Sequence, residues 1–341
     1  MSMAAVITGL GGWLPPKIVT NSELCETLDS TDEWIRTRTG IQERRVVTAG
    51  LSTRDIAVAA GARALKSAGE SATDAVVVAT TSADRLCPAV APEVAHLLGL
   101  DTVAAFDLTS ACSGFLYGLA VSAGLIAAGT AESVLFIGAE AFTTLVNPAD
   151  RNTRPIFGDG GGAVVLRAGE PDRMGTLGPI DLGSDGAKAD LLAIPAGGSR
   201  QRAESGGLGF DAVPTGDWYL HMSGRALYTQ AVERMTQSSR TALARAGWQV
   251  EDVDWFVGHQ ANARIVAAVA EELELPAERV AGNIDKVGNT LAASIPLLLT
   301  DYVDQGVLRP GDRVLLAAFG AGLSWGATTL VWPELTVDSF R

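Results

Sequence analysis

Short apolar runs recur along the chain, each bounded by glycine or by small polar residues. Ala75-Val-Val-Val-Ala-Thr80, Ser133-Val-Leu-Phe-Ile-Gly138, Val253-Asp-Trp-Phe-Val-Gly258 and Arg313-Val-Leu-Leu-Ala-Ala318 have the length and β-branched content of buried strands. Between them lie helical stretches, the greasiest running from Phe115 to Gly129. That segment contains Gly118, Ser122 and Gly124 and falls short of the ~20 residues a bilayer span needs, so it is expected as a core helix.

The pattern occurs twice. Ala64, Leu65, Ala68, Gly69 and Asp74 recur as Ala242, Leu243, Ala246, Gly247 and Asp252, each 178 positions later and each followed by an apolar strand. Further on, Gly129 and the strand from Ser133 find counterparts in Gly306 and the strand from Arg313. Two copies are too few for a solenoid. They predict an α/β protein of two pseudo-duplicated halves, residues 1–171 and 172–341, with mixed, mostly parallel sheets covered by helices on both faces.

In such sheets the chemistry gathers at the carboxyl ends of strands. One such end carries Asp107-Leu-Thr-Ser-Ala-Cys-Ser-Gly-Phe115, where a strand gives way to the core helix at Cys112. A helix start favours a thiolate, and cysteines so placed titrate at about 3.5–7.5. The competing expectation is a small buried hydrophobe. The second half carries Gly258-His-Gln-Ala-Asn-Ala-Arg264 after its first strand and Val287-Gly-Asn-Thr-Leu291 after its next. The duplication predicts that Cys112, His259 and Asn289 meet.

Composition narrows the function. A formal charge of −13 argues against general affinity for nucleic acid or anionic lipid, and an anionic ligand needs a local basic patch. Three cysteines without a CxxC pair point to a reducing cytosol and away from zinc. No signal peptide is expected at Met1–Pro16. Gly9-Leu-Gly-Gly12 and Gly158-Asp-Gly-Gly-Gly162 lack the spacing of a nucleotide loop and are expected as turns or close backbone approaches.

With these residues in view, the chain resembles the β-ketoacyl-acyl-carrier-protein synthase III family of thiolase-fold condensing enzymes over nearly its whole length. The resemblance rests on Asp32-Glu-Trp-Ile-Arg-Thr-Arg-Thr-Gly-Ile41, the Ala-Cys-Ser-Gly-Phe turn at Cys112, Asp150-Arg151, Phe157-Gly-Asp-Gly160, His259-Gln-Ala-Asn-Ala-Arg-Ile265, Gly288-Asn-Thr290 and Phe319-Gly-Ala-Gly-Leu-Ser-Trp-Gly326. It implies a layered α-β-α-β-α arrangement and no cofactor, acyl-CoA being a substrate. Cys112 would take the acyl group, with backbone N–H groups of Cys112 and Ala321 binding the oxyanion. His259 and Asn289 would then stabilise the enolate formed when malonyl-acyl-carrier protein loses CO2.

The resemblance further implies that Trp34 and Arg151 sandwich the CoA adenine, that Arg38 meets the CoA phosphates, and that Asn262 contacts pantetheine. Arg264 matches the family's carrier-protein docking arginine. Thr229 stands where a docking lysine is common, leaving Arg225 to compensate. Cys87 replaces a bulky aromatic that one subunit of a homodimer lends to its partner's acyl pocket, and Pro195–Asp217 is long enough to form a lid. These departures lean toward an acyl group larger than acetyl and a polyketide-priming role. Acyl transfer to an alcohol or sugar is the alternative, which Asn289 disfavours because such relatives carry an acid there; a non-catalytic partner subunit is the remote one.

Overall fold

The computed structural model describes residues 3–100, 102–204 and 213–339. Two sheets dominate it. The first has five strands in the order Ala4–Trp13, Gly160–Gly169, Ser133–Glu140, Ala75–Ala79, Ala104–Leu108. The second has four, in the order Trp255–Gly258, Arg313–Gly320, Ser324–Val331, Asp181–Ser184. A single parallel bridge from Phe256 to Val280 stands where the first sheet has its edge strand Ala104–Leu108, so the second copy keeps only a vestige of that element.

The sheets are mixed, but they are not mostly parallel. Ala75–Ala79 pairs parallel with both of its neighbours, and Trp255–Gly258 pairs parallel with Arg313–Gly320. The other pairings within the two sheets are antiparallel. For one of these pairs connection length is the reason: Arg313–Gly320 and Ser324–Val331 are joined by the three residues 321–323, and only a crossover of a dozen or more residues makes strands parallel.

The apolar helix Gly114–Ala127 and its counterpart Ser294–Asp304 lie between the sheets and pack on strands of both. Val77 and Val164 of one sheet, Leu316 and Leu330 of the other, and Leu119 and Leu298 of the helices form one continuous core. Thr53–Ala68 covers the outer face of the first sheet, and Gly224–Ala246 with Ala263–Glu272 covers the second. The layers are therefore α-β-α-β-α.

Helix ends follow the duplication. Gly69 and Gly247 close equivalent helices at φ of +68° and +69°, and Gly129 and Gly306 do so at +69° and +67°. This left-handed cap favours glycine. The glycines at 9 and 11 are not turns: they lie within a strand, where a Cβ would meet the Ala64 backbone at 2.5 and 2.4 Å. Close approach of the helix to the strand requires them.

Candidate active site

Cys112 lies in a single 3-10 turn, Ala111–Ser113, directly before the helix Gly114–Ala127. His259 leaves the end of the strand Trp255–Gly258, its amide donating to Ala317 O at 2.8 Å. Asn289 is held by its backbone, which donates to Ile156 O at 2.9 Å and accepts from Gly158 N at 3.0 Å. Its side-chain Oδ1 accepts the Leu291 amide at 3.0 Å, which fixes which edge of the carboxamide carries the donors.

All three side chains line one cavity of about 690 Å³ and are buried at 7, 1 and 5 % exposure. The half-buried Trp34 and the exposed Arg38, Arg225 and Arg264 line the same cavity. A second cavity of about 480 Å³ meets the first at Cys112, Phe157 and Leu192. Its walls are largely apolar, including Phe142, Leu145, Ile194, Trp218 and Leu220. The thiol thus stands between a mouth with arginines and a greasy chamber.

Burial, helped by the charge of nearby Glu140, pushes the Cys112 thiol up to about 12, against hydrogen bonds from the Asn289 side chain and the Cys112 amide that pull the other way. The depressed thiol expected from the helix start is therefore corrected. Desolvation outweighs the helix end because Cys112 packs in an apolar cluster with Phe142, Phe157 and Leu291. Burial also holds His259 down at about 3, so its imidazole is neutral. Neither ring nitrogen has a hydrogen-bond partner among the described residues. The site offers a neutral thiol, a neutral imidazole and a carboxamide donor.

Glu140 was not singled out from the sequence. It ends an otherwise apolar strand, fully buried, and its carboxylate accepts from Thr81 N at 3.0 Å, Ser82 N at 3.2 Å and Ser82 Oγ at 2.6 Å. Burial lifts it to about 7 against those bonds. A lone acid closing an apolar run was the available signal.

The remaining expectations meet the structure unevenly. Arg38 and Arg151 flank Trp34, their guanidinium carbons 5.3 and 5.2 Å from its ring centroid. A base between Trp34 and Arg151 needs about 7 Å, two stacking contacts of ~3.5 Å, so the sandwich is not preformed. Opening it would also move Arg151 from Asp29, which it meets at 2.8 Å. Asn262 caps the helix Ala263–Glu272 by accepting the Arg264 amide and donates to Arg38 O, both at 2.9 Å. Its polar ends are thus engaged within the protein. Arg264 stacks over Tyr228 at 5.9 Å, beside Arg225 and Thr229 in the cavity lining. Cys87 is exposed. Of Pro195–Asp217, residues 205–212 lie outside the described residues; Ala196, Gly197 and Gly198, with neighbouring Trp218, line the apolar chamber. Among the described residues no cluster of metal-ligating side chains occurs and no helix is long and apolar enough to cross a membrane.

A cysteine between two layered α/β halves, with histidine and asparagine from the other half, defines a thiolase-fold enzyme of the condensing class. Family models described as 3-Oxoacyl-[acyl-carrier-protein (ACP)] synthase III and as its C-terminal part match residues 106–186 and 243–332. The chain belongs to the 3-oxoacyl-acyl-carrier-protein synthase III family. It is 56 % identical over 339 residues to the beta-ketoacyl-[acyl-carrier-protein] synthase III 3 of Streptomyces coelicolor, covering 98 % of this chain and 99 % of that one. The crystal structure of the 3-oxoacyl-(acyl carrier protein) synthase III of Pseudomonas aeruginosa superimposes with a TM-score of 0.90 at 48 % identity, covering 98 and 99 % of the two chains. The priming beta-ketosynthase of a polyketide biosynthetic pathway does so at 0.89 and 34 %, covering 98 and 97 %.

Proposed function

We propose that this enzyme loads an acyl group from acyl-CoA onto Cys112 and condenses it with a malonyl thioester on acyl-carrier protein, initiating a fatty-acid or polyketide chain. The convergence of Cys112, His259 and Asn289 in one cavity carries the reading. In loading, the thiol gives its proton to the neutral His259 as sulfur bonds the thioester carbonyl. The amides of Cys112 and Ala321 hold the oxyanion, and the carbonyl reforms as the C–S bond to CoA breaks. The CoA thiolate leaves with that proton.

In condensation the malonyl thioester loses CO2, and His259 N–H and Asn289 N–H bind the enolate oxygen. The enolate carbon then bonds the acyl carbonyl as the C–S bond to Cys112 breaks, leaving a β-ketoacyl thioester and a Cys112 thiolate that takes a proton from water. Trp34, Arg38 and Arg151 would hold CoA, with Arg264 and Arg225 meeting an acidic carrier protein.

The chamber of about 480 Å³ beyond Cys112 supports an acyl group larger than acetyl, since a water-sized group occupies about 30 Å³ of liquid. We further propose a cytoplasmic homodimer in which exposed Leu86 and Cys87 reach the partner.

Intact mass after mixing with acyl-CoAs of increasing length, with Cys112→Ala as control, tests loading. Malonyl-acyl-carrier protein is then added to the loaded enzyme. Release of CO2 with formation of a ketone is the expected result; a stable acyl-enzyme that yields neither removes the condensing reading.

A further inference from the structure

Behind the nucleophile, three serine hydroxyls form a closed cluster across the seam between the halves. Ser113 Oγ lies 2.7 Å from Ser324 Oγ and 3.0 Å from Ser110 Oγ, and Ser110 Oγ lies 3.2 Å from Ser324 Oγ. Ser113 is wholly buried and Ser324 nearly so. Ser324 Oγ donates to Ala321 O and Ser113 Oγ to Ser110 O, both at 2.8 Å, and each hydroxyl has a single proton, so the bond across the seam whose donor is fixed is the one from Ser110 Oγ to Ser324 Oγ. Ser110 and Ser113 bracket Cys112, while Ser324 opens the strand that follows the 321–323 turn.

The cluster therefore ties the nucleophile turn to the turn that carries the Ala321 amide. The two backbones already touch: a Cβ on Gly320 would stand 2.8 Å from Cys112 N and 3.1 Å from Ser113 N. Gly320 permits the approach, and the hydroxyls set its distance. Hydroxyl hydrogen bonds of this kind are directional and strengthen one another in a network, which suits them to holding two peptide planes at a fixed separation.

We infer that Ser110, Ser113 and Ser324 are positioning residues that fix the Cys112 and Ala321 amides as one oxyanion site for acyl loading. This rests on the loading reaction proposed above. The enolate is bound by His259 and Asn289, which the cluster does not touch, so the two half-reactions should respond differently.

The test compares Ser324→Ala and Ser110→Ala with the native enzyme. Acyl transfer from acyl-CoA to Cys112 is followed by rapid quench and intact mass, and CO2 release is followed separately with enzyme loaded to completion. Expected are a loading rate constant lower by about 10- to 100-fold, the order of loss that follows a misplacement of about 1 Å, with KM for acyl-CoA and the CO2-release rate within about twofold of native. Unchanged loading overturns the inference, as does an equal fall in both half-reactions, which general loosening of the fold would produce. Should Ser324→Ala fail to fold, Ser110→Ala, at a partly exposed position, decides by the same criteria. Failure of the underlying reading looks different: the native enzyme itself would take no acyl group from any CoA ester.

Discussion

Replacing Asn289 by aspartate separates the proposed enolate site from everything else the residue does. The side chain keeps its shape and its acceptor for the Leu291 amide, a bond of 3.0 Å at a 5 % exposed position, so the turn survives. What disappears is the donor edge. Loss of one preorganised donor costs about 100- to 1000-fold, or roughly 2.7–4 kcal/mol. A carboxylate adds a second anion near sulfur, where Glu140 already raises the thiol, and Cys112 loses the carboxamide hydrogen bond that lowers it. Loading should therefore also slow, but by less than about tenfold, because its proposed oxyanion donors are backbone amides. The assay preloads Cys112 with acyl-CoA, checks occupancy by intact mass, and times CO2 release from a malonyl thioester. Release within about threefold of native, or loading that falls as far as release does, refutes the assignment.

Glu140→Gln keeps an acceptor for the Ser82 hydroxyl and removes the buried charge that lifts the thiol, so the pH profile of Cys112 alkylation by iodoacetamide should move to lower pH; a profile unmoved or moved upward contradicts the coupling. His259 titrates near 6.5 when unfolded but at about 3 in the fold, so between those values the unfolded chain binds the extra proton and stability declines as pH falls. In His259→Gln that contribution is absent, and urea midpoints from pH 6.5 down to 4.5 should fall less steeply than native; parallel slopes would count against a buried neutral imidazole. Gly118→Ala would set a methyl 2.0–2.7 Å from carbons of the Phe136 ring, and such overpacking costs about 1–3 kcal/mol. Its thermal midpoint should fall, and an equal or higher one would show that the ring yields freely.

Much of this architecture was legible in repeated residues, because helix caps and buried strands have local causes. Gly69 and Gly247 end equivalent helices for the same steric reason, and a match in five residues at one offset was enough to pair the halves. That pairing brought Cys112, His259 and Asn289 together before any geometry was known. Strand direction was less legible: apolar runs announce burial on both faces but do not say whether the next strand returns by a tight turn, as at 321–323. The thiol's proton affinity was misjudged because a helix start is visible in sequence while the walls that desolvate the sulfur come from Phe142, Phe157, Leu220 and Leu291, residues far apart in the chain. For the same reason the chamber beyond Cys112 could not be outlined, and Trp34 gave no sign that Arg151 already rests on it.

The two halves also show how one backbone supports unlike chemistry. Ala111 and Leu291 adopt the left-handed region at φ of +43° and +47°, each opening a 3-10 turn that leads into a central helix. This strain, unusual for residues with a Cβ, is present in both copies, so it belongs to the shared turn and not to the nucleophile alone. The turns then cross over: the first abuts Gly320 of the second half, while the second abuts Gly138 of the first, where a Cβ would meet Ala292 O at 2.5 Å. Each half therefore packs its strand against the other half's turn, with cysteine in one turn and Ala292 in its counterpart. Strand ends diverge likewise, Glu140 in one and Gly320 in the other. The proposed chemistry falls on the side where the turn offers sulfur; Gly320 admits the Cys112 amide to the seam there, as Gly138 admits Ala292 on the other side. A methyl at 320, as in Gly320→Ala, would meet both Cys112 N and Cβ within 3 Å and force the seam apart. The asymmetry of the site thus resides in a few side chains laid on a nearly symmetric frame.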